Sequence, residues 1–185
     1  MYSYEELQTV KTFTPTQIRE AALIMHPGMK GYNITADEIA HLFEEGSNYE
    51  PLKTPITDAF GNEFWDNEGY YMAARTQNPE IKKAIAFRSA GFWLSRKARK
   101  MYDLELDELA RIDYMREGIR KKFDANPHLK ERLDATWDRE IIEYTFWKDI
   151  FFGIDQENLT GKSILGMLLM EYRDAHKNDW TTQDS

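Results

Sequence analysis

The sequence predicts a mainly helical protein with minor β content, folded as a single domain. Three observations lead there. Helix-start signatures recur along the chain, at Thr14-Pro15-Thr16-Gln17, Thr35-Ala36-Asp37-Glu38, Asp66-Asn67-Glu68 and Asn78-Pro79. Leu109, Ile112, Met115, Ile119 and Phe123 repeat at helical spacing along one long amphipathic run. Only residues 139–145 read clearly as a strand. A length of 185 residues suits one domain and can bury a sizeable core.

Taken in order, Thr14 caps a helix, Pro15 fits its first position and Gln17 completes a capping box. Ile18, Ala21, Ala22 and Met25 then share one helical face, and Pro27-Gly28 ends the helix. The box at Thr35 opens a short helix that turns Ile39, Leu42 and Phe43 inward and closes at Gly46. Residues 47–63 are broken by Pro51, Pro55 and the turn Gly61-Asn62, leaving two short pieces that read as edge strands. Asp66 or Asn67 caps the next helix and places Glu68 in its first turn, where the helix dipole favours a negative charge. Pro79 starts a helix with Ile81, Ala84, Ile85 and Phe87 in register, followed by a basic cluster of Arg88, Arg96, Lys97, Arg99 and Lys100. That cluster reads either as a solvated helix face or as a patch facing phosphate. After the long amphipathic helix, Asn126-Pro127 starts another with Leu129 and Leu133 inward. The closing helix runs from Ile164 to about Tyr172, and the tail from Asn178 is polar.

Composition excludes several classes. A net charge of −8 argues against an extended nucleic-acid surface. The absence of cysteine removes disulfides, thiolate metal sites and a cysteine nucleophile. The acidic start, Met1 to Glu6, lacks the apolar stretch of a signal peptide, and no apolar run approaches a membrane span, so a soluble cytoplasmic protein is expected. His26, His41, His128 and His176 are scattered and show no metal-ligand spacing.

The stretch Glu143–Arg173 carries several candidate groups. Gly161-Lys162-Ser163 invites a phosphate-loop reading, but Gln156 stands where that loop needs a glycine, and Asp155 and Glu157 add repelling charge. Two readings remain: a plain helix entry, or a helix start whose amides hold an anion. Two acids are embedded in aromatic residues, Glu68 among Trp65, Tyr70 and Tyr71, and Asp149 among Trp147, Phe151 and Phe152. Apolar surroundings suit a carboxylate to proton transfer or to stabilising a developing cation. The alternative is a pair of capping acids beside core aromatics.

In these residues the chain resembles the NADAR, or YbiA-like, family. Ser47-Asn48-Tyr49 resembles its Ser-Asn-Phe. Gly61 to Arg75 resembles the segment ending Ser-x-Glu-His-Tyr-x-x-Ala-x-Lys, with Glu68 on the glutamate, Tyr70 on the tyrosine and Arg75 in place of the lysine. Arg99 follows Ala98 as in its Gly-Arg. Met115 to Phe123 resembles its Met-Arg helix, and Asn126-Pro127 follows. Glu143 to Gly153 resembles its Glu…Asp-x-x-Trp-Gly, and Gly161 to Met170 its Gly-x-Asn-x-Leu-Gly-x-x-Leu-Met. The matches keep their order over about residues 47–173.

The resemblance implies a single multihelical YbiA-like domain over 1–185, with a core at about 30–177 and a helical N-terminal extension over 1–29. It implies an N-glycosidase that needs no metal or cofactor and cleaves a ribosyl–base bond. Its partner would be a nucleotide-like small molecule, such as an early riboflavin-pathway intermediate, or an ADP-ribosylated guanine of nucleic acid. Breaking that bond develops oxocarbenium character that a carboxylate stabilises. By resemblance Glu68 and Asp149 are the candidate catalytic acids. Ser47, Asn48, Tyr70, Phe152 and Gly153 would contact substrate, as would Arg75, Arg99, Gly161, Lys162 and Ser163, with the cationic groups on phosphate. Three departures stand out: the family's tryptophan falls near Asp107 or Leu109, its Trp-Gly is Phe152-Gly153, and its asparagine is Ser163. The missing tryptophan favours an alternative, a non-catalytic domain that senses ADP-ribose or NAD-derived nucleotides.

Overall fold

The computed structural model describes residues 1–26, 30–87, 104 and 107–177. Within it the chain divides into two compact units, residues 1–47 with 131–185, and residues 48–130. Seven α-helices lie among the described residues, so helices outweigh strands as expected, but the strands are better organised than minor β content suggests.

The first unit is built on a mixed five-stranded sheet of order β1-β7-β6-β5-β2. Its strands are β1 (Lys11–Thr12), β2 (Ala22–Ile24), β5 (Ile141–Thr145), β6 (Ile154–Asp155) and β7 (Thr160–Gly161). β5 runs parallel to both neighbours, with Ile24 beside Glu143 and Tyr144 beside Ile154. All five residues of β5 are buried, as expected of a strand covered on both faces. Ile142 and Tyr144 face a core shared with Phe13, Ile18, Leu23 and Ile154. Each such aliphatic side chain contributes about 1.5–3 kcal/mol on burial. Helix α7 (Ile164–His176) packs on β5 so closely that a Cβ at Gly166 would lie 1.8 Å from the Ile141 carbonyl oxygen.

Two predicted elements of this unit are corrected. The helix opened by Thr14 is α2 (Pro15–Glu20), with both halves of the capping box formed, but it stops at Ala21. Ala22, Leu23 and Ile24 are the strand β2 instead, because a continuous apolar run next to β5 buries both faces of its backbone. The Thr35 box forms, with Glu38 accepting from the Thr35 amide at 2.7 Å, but it supports only a 3₁₀ turn at Ala36–Glu38. A second turn follows at Glu44–Gly46. Between them Leu23 donates to the His41 carbonyl and accepts from the Phe43 amide, so residues 41–43 are held as extended chain. The short helix α1 (Tyr4–Gln8) precedes β1.

The second unit is helical apart from a hairpin of β3 (Ile56–Thr57) and β4 (Glu63–Phe64), the two edge strands expected there. Asp58 organises its turn by accepting from the amides of Phe60 and Asn62, both at 2.9 Å. Gly61 takes φ +79°, a conformation that favours glycine. Helices α3 (Asn67–Ala74), α4 (Pro79–Phe87) and α5 (Glu108–Ala125) follow. The buried face of α5 carries Ile112, Met115, Gly118, Ile119 and Phe123, at the spacing read from sequence. A Cβ at Gly118 would lie 2.2 Å from the Asn67 side-chain oxygen, so glycine lets α5 close on α3. Helix α6 (Pro127–Asp134) carries the chain between the two units. The basic cluster 88–100, including Arg99, lies outside the described residues. No helix among the described residues is long and apolar enough to cross a membrane.

Candidate functional site

In the helical unit the candidate groups are positioned by the start of α3. Asp66 is its N-cap and accepts from the Gly69 amide at 2.7 Å. Burial pushes the Asp66 carboxyl up to about 6, while the Gly69 amide and the Lys122 charge pull it back. The Glu68 amide donates to the Asn48 carbonyl, and Asn67 donates to the Asn48 side chain, both at 2.9 Å. These bonds pin the Asn48 segment across the helix start. Asn48 therefore acts as a strut for the turn that carries Glu68, which is 4% exposed.

Helical spacing places Glu68, Tyr71 and Arg75 on one face of α3. The Arg75 guanidinium lies 5.4 Å over the Tyr71 ring, and both residues are buried. Arg111 of α5 donates to the Tyr71 hydroxyl at 3.0 Å. Burial holds that hydroxyl in its neutral form, pulled back by Arg111 and Arg75 and reinforced by the Glu68 charge. One guanidinium thus meets the Tyr71 hydroxyl, a second lies over its ring, and the Glu68 charge acts on that hydroxyl. Tyr70 lies on the other side of the helix, edge-on to Phe64 at 5.8 Å and beneath Lys121 at 5.1 Å. The helix separates it from the Glu68 face.

In the sheet unit Asp149 begins a tight turn. One of its carboxylate oxygens accepts from the amides of Phe151 at 3.0 Å and Phe152 at 3.1 Å. Phe152 is buried, with its ring edge-on to Phe151 at 4.8 Å, and the Lys162 ammonium lies 4.9 Å over the Phe151 ring. Gly153 and Gly161 are close-approach glycines. A Cβ on Gly153 would lie 2.7 Å from the Glu143 carbonyl, and one on Gly161 would lie 2.2 Å from the Gly153 carbonyl.

The amides of Lys162, Ser163, Ile164 and Leu165 donate to the carbonyls of Ile150, Gly153, Phe151 and Phe152. The start of α7 therefore spends these donors on seating the aromatic turn. That leaves side chains, not these amides, to face a ligand. Ser163 stands just before α7 at φ +55°, and its buried hydroxyl has no partner among the described residues.

Three groups that the sequence reading did not single out complete the picture. Arg111 joins Arg75 on Tyr71. In the sheet unit, His26 contacts the Ser47 hydroxyl through Nδ1 at 3.1 Å, and its Nε2 lies 3.7 Å from a Glu143 carboxylate oxygen. All three of these residues are buried. Burial pushes the Glu143 carboxyl up; His26 pulls it back and the Asp149 charge adds to the rise. One signal for Glu143 was available, because a carboxylate inside the apolar run Ile141–Thr145 must be buried with partners. Among the described residues no group of three or more histidine, aspartate and glutamate side chains is arranged to hold a metal ion.

Comparison with known proteins gives this geometry its setting. Two curated relatives, the N-glycosidase YbiA proteins of Shigella flexneri serotype 5b (strain 8401) and of Shigella flexneri, are each 26% identical over 164 residues. The aligned region takes in 86% of this chain and 96% of either relative. The NMR structure of the E. coli protein YbiA superposes with a TM-score of 0.65 at 23% identity, covering 93% of this chain and 98% of that one, and so shares its fold. The NADAR domain profile matches residues 40–176, a span that holds Glu68, Arg75, Arg111, Glu143 and Asp149 but not His26. On that match the chain belongs to the NADAR domain family.

Proposed function

We propose that this protein hydrolyses the bond between a nitrogenous base and the anomeric carbon of a phosphorylated or ADP-ribosyl ribose. Membership of the NADAR family and the activity for which its curated relatives are named make it a hydrolase of N-glycosyl bonds. The observation that carries the finer reading is the grouping of Glu68, Tyr71, Arg75 and Arg111. The reaction develops positive charge on the ribose, which a carboxylate stabilises. Its substrate also carries phosphate, which guanidinium groups bind in bidentate fashion. The C–N bond breaks with its electron pair leaving on the base. Water adds its oxygen to the anomeric carbon, and its proton ends on the base nitrogen.

Glu68 and Asp149 are the candidate catalytic carboxylates. Arg75 and Lys162, with Arg99 outside the described residues, are the candidate phosphate ligands. Ser47, Asn48, Tyr70, Phe152, Gly153, Gly161 and Ser163 are the remaining candidates for substrate binding. The substrates to test are ADP-ribosylated guanine in DNA and the early riboflavin-pathway intermediates, incubated with the protein while released base and ribose are quantified. Release from either, abolished by Glu68→Ala and Asp149→Ala in folded protein, is the expected outcome. No release from any of them at high enzyme concentration overturns the substrate assignment, and full turnover in both variants overturns the roles.

One observation supports a second reading, a non-catalytic nucleotide sensor. Where the family carries tryptophan, Asp107 caps α5 through the Ala110 amide at 2.8 Å and Leu109 is exposed. Calorimetry separates the two readings: tight ADP-ribose binding without turnover favours the sensor.

A further inference from the structure

His26 has no place in the reaction as drawn and lies outside the residues matched to the NADAR domain. Its side chain is nevertheless held from several sides. β2 and β5 are parallel with Ile24 beside Glu143, and His26 follows Ile24 by two residues, which puts it on the same face as Glu143. Ser47 holds Nδ1 at 3.1 Å. The Trp147 ring lies 5.2 Å from the imidazole, and the His26 backbone amide donates to the Tyr32 hydroxyl at 3.3 Å. Nε2 is left directed at Glu143, at 3.7 Å, within ion-pair range.

The turn after β5 brings the Asp149 backbone beside that of Glu143. Gly153 lacks a Cβ that would lie 2.7 Å from the Glu143 carbonyl and 3.2 Å from the Asp149 carbonyl, so the backbones of both acids border one glycine. We propose that His26, braced by Ser47, is a positioning residue that orients the buried Glu143 carboxyl for proton transfer. The direction of the Glu143 shift agrees, with burial and Asp149 favouring its protonated form and His26 opposing.

The other titratable groups nearby have identified roles. Tyr32, in the segment after β2, feels the Glu143 charge, and its buried hydroxyl stays neutral. Asp155 of β6 acts on Tyr144, on the opposite face of β5. The buried charge of α7, Arg173, donates to Thr136 and to the Arg139 carbonyl. In the glycosidase reading, on which the functional part of this inference rests, Glu143 gives its proton to the base nitrogen as the C–N bond breaks, and recovers one from the attacking water.

The test is a carboxyl-carbon NMR titration of the full chain, with Glu143 assigned through Glu143→Gln. Removing His26 in His26→Ala is expected to move the Glu143 midpoint up by about one pH unit. Ser47→Ala, which only loosens the ring, should move it less in the same direction and serves if His26→Ala does not fold. An unmoved midpoint in a folded variant overturns the positioning role. In the base-release assay, His26→Ala should lower kcat about tenfold with KM little changed, shifting the alkaline limb of the pH profile upward. An unchanged kcat and pH profile, beside a moved midpoint, overturns the link to catalysis. Absence of base release from the unmodified protein overturns the glycosidase reading, while the NMR shift still decides the role of His26.

Discussion

The two units each bury an acid, and they do so by different means. In the helical unit, Glu68 is placed by a helix start: a capped first turn, an amide bond to Asn48, and on the face that the helix repeat dictates Tyr71 and Arg75, with Arg111 reaching Tyr71 from α5. In the sheet unit, Glu143 is placed by strand register: His26 reaches it from the neighbouring strand and Asp149 from the turn beyond. The helix sets Glu68, Tyr71 and Arg75 on one face within eight residues of sequence, and two guanidiniums meet the tyrosine there. The sheet draws on residues more than a hundred positions apart, and it surrounds its acid with a second acid and an imidazole. The first setting suits holding a charge, and the second suits holding a proton.

The sharpest way to break this contrast is at Glu68. Glu68→Gln keeps the shape of the side chain and removes its charge. Base release should fall about 100- to 10,000-fold, while the melting temperature stays within a few degrees. A loss of stability with no loss of turnover per folded molecule would make Glu68 a structural acid, and the helical unit would lose its half of the comparison.

Next come the glycines on which each unit closes. Gly166 seats α7 on β5 against a backbone carbonyl, whereas Gly118 seats α5 on α3 against the Asn67 side chain. A backbone oxygen 1.8 Å from the new Cβ can move only by shifting the strand, while a side-chain oxygen at 2.2 Å has a rotation open to it. Gly166→Ala should therefore cost about 3 kcal/mol or more, and Gly118→Ala about 1–3 kcal/mol. Paired urea titrations of the two variants measure the gap. Equal costs would mean that Asn67, through its bond to Asn48, is as fixed as backbone.

These contrasts also explain what the sequence could show. Helix starts are legible because capping is local: Thr14, Asp66 and Asn78 each bind an amide two or three residues on. The face carrying Glu68 and Arg75 follows from the helix repeat alone. The error at Ala22–Ile24 has the opposite cause. Ile18, Ala21, Ala22 and Met25 fit a helical period, but the segment is apolar throughout, and pairing with β5 decides its state. The Thr35 box is a true cap, yet no α-helix follows, because Leu23 engages the chain at His41 and Phe43. The spacing of the histidines says nothing of His26, because its partner Glu143 becomes a neighbour through a parallel register that no local pattern announces. Arg111 was passed over for the same reason, lying forty residues from Tyr71.

A third prediction concerns a helix-borne acid whose proton affinity is raised. The Asp66 carboxyl lies at about 6 in the folded chain, above the ordinary aspartate range. The folded state then binds a proton more tightly than the unfolded state between about pH 4 and 6. Stability from this group is present below that window and lost as pH rises through it. Asp66→Asn keeps the cap, since asparagine caps as well as aspartate. The variant should be more stable than the parent at pH 7, by on the order of 2 kcal/mol, with the gap closing towards pH 4. Denaturant unfolding at the two pH values measures it. A gap that widens at low pH would show that the Lys122 charge and the Gly69 amide outweigh burial.

The smallest expected effect lies at Ser163, where the sheet unit passes into its closing helix. The residue stands at φ +55°, a left-handed conformation that costs a non-glycine residue about 1–2 kcal/mol. Its buried hydroxyl adds a polar group with no partner among the described residues. Ser163→Gly removes both penalties but adds chain entropy to the unfolded state, which offsets about 0.5–1 kcal/mol. The net change should be a stabilisation of no more than about 1 kcal/mol, read as a rise of a few degrees in melting temperature. Base release distinguishes two roles for the hydroxyl. Unchanged turnover leaves Ser163 as part of the seat on which the aromatic turn rests. A fall in turnover despite the gain in stability would mean that the strained serine is kept for substrate, and that the start of α7 contributes to the site through its side chain after all.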